Sequence, residues 1–192
     1  MRYLYLMLIP ALMLVGCESP TDENAAGDAL KQECLSTPGK TLEQMTRTWN
    51  NTRDAGDYAY LLTGDYHFWF AQASIDKQME DGYIIPTSWN KAEDMQATEK
   101  MFVDPSEGGA YDISMDILNS ADYDYDPGGT DFTADNVVMQ IYLWTTGPDF
   151  AYLATGACTF DFKKIDGMWL ISGWHDDDSD GAFGELRAQY HP

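Results

Sequence analysis

Between residues 111 and 175 the chain alternates apolar and polar side chains in several runs, a period of two that suits β-strands and not helices. Tyr111, Ile113, Met115 and Ile117 alternate with Asp112, Ser114 and Asp116, which gives one buried and one wet face. Val137, Met139, Ile141 and Leu143 alternate with Val138, Gln140, Tyr142 and Trp144, so that run is apolar on both faces apart from Gln140. Tyr152 to Lys163 reads as a third strand, with Phe160 and Phe162 on one face. Lys163-Lys164-Ile165-Asp166-Gly167 reads as a tight hairpin into a fourth, Met168 to His175, with Trp169 and Ile171 opposite Met168, Leu170 and Trp174.

The first half reads as helices. Thr41 with Gln44 matches a capping box, and Leu42, Met45 and Trp49 fall on one face of a helix running to about Arg53. Gly56 breaks it. Asp57 then caps a second helix carrying Tyr58, Leu61 and Leu62, which Gly64 ends. Tyr66 to Phe70 is aromatic and strand-like. Ser88 caps a third helix, Asn90 to Phe102, and Phe183 to Tyr190 reads as a short closing helix. The order predicts an α+β domain, a curved antiparallel sheet wrapped around about three N-terminal helices.

The N-terminus is a separate matter. Met1 and Arg2 precede an apolar stretch from Tyr3 to Val15 and a small Gly16, the layout of a secretory signal, too short to span a bilayer. Leu14-Val15-Gly16-Cys17 resembles the lipobox of bacterial lipoproteins. The resemblance implies cleavage before Cys17 and acyl chains on Cys17 as membrane anchor, since two or more chains hold stably where one does not. An ordinary cleaved signal with a coincidental cysteine is the competing reading. Residues 1–16 are then signal, 17–40 a polar tether, and 41–192 the folded domain. Glu18, in place of an Asp, points to the outer membrane, facing the periplasm or the cell surface, in a two-membrane envelope.

The formal charge is −21, and loss of Arg2 with the signal makes it −22. Such a surface repels nucleic acid and anionic headgroups, so the reading includes no nucleic-acid partner. Of the three cysteines, Cys34 and Cys158 remain after lipidation of Cys17. In an oxidising compartment they are candidates for a disulfide, or are two unpaired thiols with Cys158 buried in a strand.

Three stretches carry a resemblance to the nuclear transport factor 2-like superfamily, which includes SnoaL-like cyclases and ketosteroid isomerase. They are Trp49-Asn50-Asn51-Thr52-Arg53-Asp54-Ala55-Gly56-Asp57-Tyr58, Leu61-Leu62-Thr63-Gly64-Asp65-Tyr66-His67-Phe68 and Lys163-Lys164-Ile165-Asp166-Gly167-Met168-Trp169-Leu170-Ile171. The resemblance implies a cone-shaped cavity between sheet and helices, suited to a small apolar ligand. Candidate lining residues are Trp49, His67, Trp69, Tyr142, Trp144 and Trp174; the competing reading is that these rings fill the cone as core. No position matches the family's catalytic Asp and Tyr. The expectation is therefore no catalytic residue and a non-catalytic binding or interaction module, for a small apolar ligand or an envelope protein. The alternatives are a SnoaL-like or ketosteroid isomerase-like enzyme and a homodimerising structural domain.

Asp176-Asp177-Asp178-Ser179-Asp180-Gly181 has the acid spacing that opens a calcium loop, with Asp176, Asp178 and Asp180 as oxygen ligands. The twelfth position is Arg187 where such a loop needs a bidentate Glu, so a complete EF-hand is excluded. An incomplete calcium site and a solvated acidic turn stay open; no other cofactor is expected. Asp122 to Gly129 is a second acidic run, read as an exposed hairpin loop.

Overall fold

A computed structural model describes residues 32–145, 151–177 and 183–192. Its frame is a curved six-stranded sheet. The strands are β1 (Leu62–Trp69), β2 (Ser88–Asn90), β3 (Asp112–Ile117), β4 (Asp131–Trp144), β5 (Ala151–Ile165) and β6 (Met168–Asp176), in the spatial order β2-β1-β6-β5-β4-β3. The helices are α1 (Pro38–Arg47), α2 (Ala55–Tyr60), α3 (Lys91–Phe102) and α4 (Phe183–Ala188). The α+β class and the β3–β6 meander stand as the alternation predicts. The sheet is mixed, however, because β1 runs parallel to β6 while its other pairings are antiparallel. The long excursion from β1 through α3 and the meander returns β6 to lie beside β1, which is what makes that pair parallel.

The hairpin between β5 and β6 forms where expected. Ile165 pairs with Met168, and Asp166 and Gly167 both take positive φ, as a tight two-residue turn requires. Along β6 the period of two breaks. Asp161 faces Gly173 but Phe162 faces Ile171, so Ser172 is an extra residue. That bulge moves Trp174 onto the same inner face as Trp169 and Ile171, all three fully buried.

The helix boundaries differ from the sequence reading. Thr37 caps α1, accepting from the Lys40 N–H at 3.2 Å, and Pro38 sits in its first turn. Thr41 lies inside the helix instead, fully buried, and donates to the Trp169 carbonyl at 2.6 Å. Packing starts ahead of the expected boundary at residue 41: Leu35 is buried and accepts from the Trp169 N–H at 2.8 Å. After α1 the chain widens into a π-turn over Thr48–Thr52 and stops at Arg53 in the left-handed region. Asp54, not Asp57, caps α2, and Gly64 belongs to β1. Asn90 with Glu93 forms the capping box of α3, while Ser88 pairs with Trp69 in β2.

The edge strand β3 is covered rather than left open. Asn50 donates to the Met115 carbonyl at 2.8 Å and accepts its N–H at 2.6 Å, mimicking a neighbouring strand. Arg53 donates to the Ile113 carbonyl at 3.2 Å and pairs with Asp112. Asp112 and Asp116 are exposed, on the wet face expected of them. The core fills the concave side, between the sheet and the helices, and draws on every strand.

Gly109 follows α3 where a Cβ would meet the Val103 carbonyl oxygen at 1.9 Å, whereas a Cβ on Gly64 would meet nothing within 4 Å. Gly109→Ala should cost about 1–3 kcal/mol in urea unfolding. Gly64→Ala should stay within about 0.5 kcal/mol of the parent.

Candidate functional site

The concave side carries two ionisable groups that no motif announced. Asp94 on α3 and Arg187 on α4 are both fully buried, with Arg187 Nη2 2.5 Å from Asp94 Oδ1. The α3 face that meets the core is Asp94, Ala97, Thr98 and Met101, at helical spacing. Thr98 accepts from Arg187 Nη2 at 3.1 Å, and Tyr58 of α2 donates to Asp94 Oδ2 at 3.1 Å. Tyr66 of β1, also buried, lies within electrostatic reach of Asp94 and Tyr58.

Aromatic rings enclose the guanidinium. Its carbon lies 4.8 Å from the ring centre of Phe68, 4.9 Å from Trp174 and 5.6 Å from Trp49. These three rings come from β1, β6 and the π-turn, and Trp174 meets both others edge-on, at 5.2 Å from Phe68 and 6.4 Å from Trp49. Nε and Nη1 of Arg187 are buried without a hydrogen-bond acceptor among the described residues.

Burial lifts the Asp94 carboxyl above its ordinary range, and Arg187 and Tyr58 pull against that lift. Burial works against the Arg187 charge as well, but Asp94, with Tyr58 and Tyr66, overcomes it and leaves the guanidinium firmly protonated. Burial, then the neighbouring carboxylate, pushes both tyrosine hydroxyls up, so they stay neutral. The arrangement is a dry, neutralised charge pair with two phenols beside it. It holds the two groups in place and shuts both away from solvent.

Of the six candidate lining residues, only Trp49 and Trp174 face the interior. Tyr66, Phe68 and Phe70 take the inner positions of β1 and its continuation, so His67 and Trp69 point to the opposite face by the period of two. Tyr142 and Trp144 likewise sit opposite the buried Ile141 and Leu143. On that outer face Trp69 stacks on His175 at 4.2 Å, His175 Nε2 lies 2.8 Å from Asp161 Oδ2, and His67 sits 5.4 Å from Trp69. Tyr142 and Trp144 stack at 5.8 Å. Runs apolar on both faces hide which residues turn inward, and these four sit on the outer side of the sheet.

The Cys34–Cys158 disulfide does not form. Cys158 is a free thiol at an inward position of β5, opposite Val137 and Asp176, and burial pushes its pKa well up. Cys17 lies outside the described residues. In the acidic run, Asp178 and Asp180 also lie outside them, and Asp176 is not a solvated loop ligand. Asp176 ends β6, is buried, and accepts the Gly184 N–H at 2.8 Å, which seats a carboxylate at the start of α4. Among the described residues no group of three acids, histidines or cysteines is placed to hold a metal ion. In the second acidic run, Asp124 accepts from Thr37 at 2.7 Å and Asp126 pairs with Lys164 at 2.6 Å, so the loop between β3 and β4 is tied to the body. No helix among the described residues is long and apolar enough to cross a membrane.

No protein-family model matches the chain, and no curated protein does. It is similar in structure to a protein of Novosphingobium aromaticivorans provisionally named a scytalone dehydratase, with 12% identity, 77% of this chain and 83% of the other covered, and a TM-score of 0.48. It is also similar to a nuclear transport factor 2-like superfamily protein of Salmonella enterica serovar Typhimurium, at 13% identity, 77% and 89% coverage and a TM-score of 0.45. A nuclear transport factor 2-like protein of unknown function from Shewanella oneidensis aligns at 18% identity, 72% and 94% coverage and a TM-score of 0.44.

Burial raises the Asp176 pKa to about 6 against the opposing N–H groups of Gly184 and Phe183. A raised pKa means that the folded chain holds this proton more tightly than the unfolded chain. The contribution is therefore present at and below about pH 4 and is lost as pH rises to about 6. Measured against Asp176→Asn, the parent should lose roughly 2–3 kcal/mol of relative stability across that window. Parallel stability curves for the two proteins would show that Asp176 titrates normally.

Proposed function

We propose that this chain is a lipid-anchored envelope protein whose single nuclear transport factor 2-like domain is a non-catalytic binding or interaction module. The observation that carries the non-catalytic reading is the state of Asp94. An acid acting as general base must be able to take a proton from substrate. Here Asp94, fully buried, faces Arg187 at 2.5 Å and accepts from Tyr58 inside an aromatic shell, out of reach of a substrate. The buried pair also argues against the purely apolar ligand expected from the sequence, since such a ligand gives buried polar groups nothing to bond.

The anchor reading rests on Leu14-Val15-Gly16-Cys17 and on the polar segment that follows. Two separate outward aromatic groups, Tyr142 with Trp144 and Trp69 with His67 and His175, support a role at the surface, facing an envelope protein or a second copy of this chain. A second reading, an isomerase-like enzyme on a small apolar substrate, draws support from two phenols set beside a buried carboxylate, a kind of cluster that acid–base enzymes use.

The test is native mass spectrometry of the chain purified from its own membrane, alongside Cys17→Ser. The parent should begin at Cys17 and carry acyl mass, and Cys17→Ser should move to the soluble fraction. A parent of uncut or unacylated mass, or a Cys17→Ser chain still held by the membrane, overturns the anchor.

A further inference from the structure

We infer that the interior of this domain is a cage for an organic cation of the methylated-ammonium class, and that Arg187 fills it as an intramolecular stand-in. The inference rests on reading the interior as a receptor rather than a catalytic chamber.

Three features of the geometry point this way. First, the guanidinium is contacted mainly by ring surfaces: Phe68, Trp174 and Trp49 lie 4.8, 4.9 and 5.6 Å from its carbon. Aromatic faces recognise a cation through the ring quadrupole and ask for no hydrogen bond in return. Second, the polar contacts converge on a single nitrogen. Asp94 and Thr98 both meet Nη2, while Nε and Nη1 find no acceptor among the described residues. A site shaped for guanidinium offers acceptors along its fork. This one offers charge neutralisation and ring faces, which a quaternary ammonium needs, and among the described residues leaves the guanidinium's other donors unmet.

Third, the occupant arrives on a short element. The α4 helix is six residues long, too short to hold its shape unaided. It is kept in place by contacts around the rim. Glu185 accepts from Ser74 at 2.7 Å and Lys77 at 2.5 Å, and Asp176 accepts the Gly184 N–H. Beyond the helix, His191 stacks on Tyr83 at 3.9 Å and lies 2.7 Å from Asp81. The cage walls come from β1, β6, α3 and the π-turn, elements other than the short helix that carries Arg187.

The experiment uses the full chain with Arg187→Ala, titrated with tetramethylammonium chloride against sodium chloride and guanidinium chloride at equal ionic strength, read by Tm and tryptophan fluorescence. Tetramethylammonium at a hundredfold excess over its Kd should raise the Tm of Arg187→Ala by about 5–10 °C. Sodium should not, guanidinium should do less, and adding Asp94→Asn should abolish the effect. The parent, whose cage is occupied, should bind the same probe at least ~10-fold more weakly. A folded Arg187→Ala that responds to tetramethylammonium no more than to sodium, or that prefers guanidinium, overturns the inference. Neither result touches the membrane-anchor test above. Should Arg187→Ala fail to fold, Arg187→Lys and Arg187→Met decide. A cage that reads charge through ring faces keeps the Lys variant within about 3 °C of the parent, while Met loses at least about 6 °C. Equal losses overturn the inference.

Discussion

The interior of this domain is organised by one buried ion pair. Taking a carboxylate and a guanidinium out of water costs several kcal/mol each, and their attraction repays that only with good geometry and added hydrogen bonds. Tyr58 and Thr98 supply the bonds, and the rings of Phe68, Trp174 and Trp49 supply a polarisable shell. The pair joins α3 to α4, and its shell joins both to β1, β6 and the π-turn. A single interaction therefore ties the N-terminal helices, the C-terminal helix and the centre of the sheet together.

That arrangement gives the C-terminal segment a structural task. Phe183, Leu186 and Ala188 are buried with Arg187, and the carboxylate of Asp176 sits at the start of the same helix. By spacing alone the acid resembles one end of a calcium loop, with Arg187 where that loop needs a glutamate. Both instead fix α4 against the body. The opposite side of the sheet is different in kind. It is half-exposed and aromatic, and it carries His67 and His175.

The sequence was readable where one physical rule acted alone. The β3 and β4 strands follow the period of two because their inner residues meet one core, and the Asp166-Gly167 turn follows from the φ it demands. The reading failed where two rules competed. In β1 every residue from Tyr66 to Phe70 is aromatic, so hydropathy carries no information about facing, and His67 and Trp69 were assigned to the cavity. In β6 the extra Ser172 reverses the parity, so Trp174 joins the face of Trp169 and Ile171. Thr41 has the spacing of a cap, but Pro38 can enter the first turn where it cannot sit mid-helix, and Thr37 takes the role. Asp94 was legible only as an acid at core spacing with Ala97, Thr98 and Met101, a signal that needs its distant partner to be understood. Nothing local in Phe183-Gly184-Glu185-Leu186-Arg187 says that the arginine turns inward.

The most direct test of this account is a double-mutant cycle on Asp94→Asn and Arg187→Met, followed by urea unfolding. If the pair organises the interior, each single change strands a buried partner and costs about 3–5 kcal/mol, while the double variant costs clearly less than the sum, with a coupling of at least about 2 kcal/mol. Additive costs, with no coupling beyond about 0.5 kcal/mol, would contradict it.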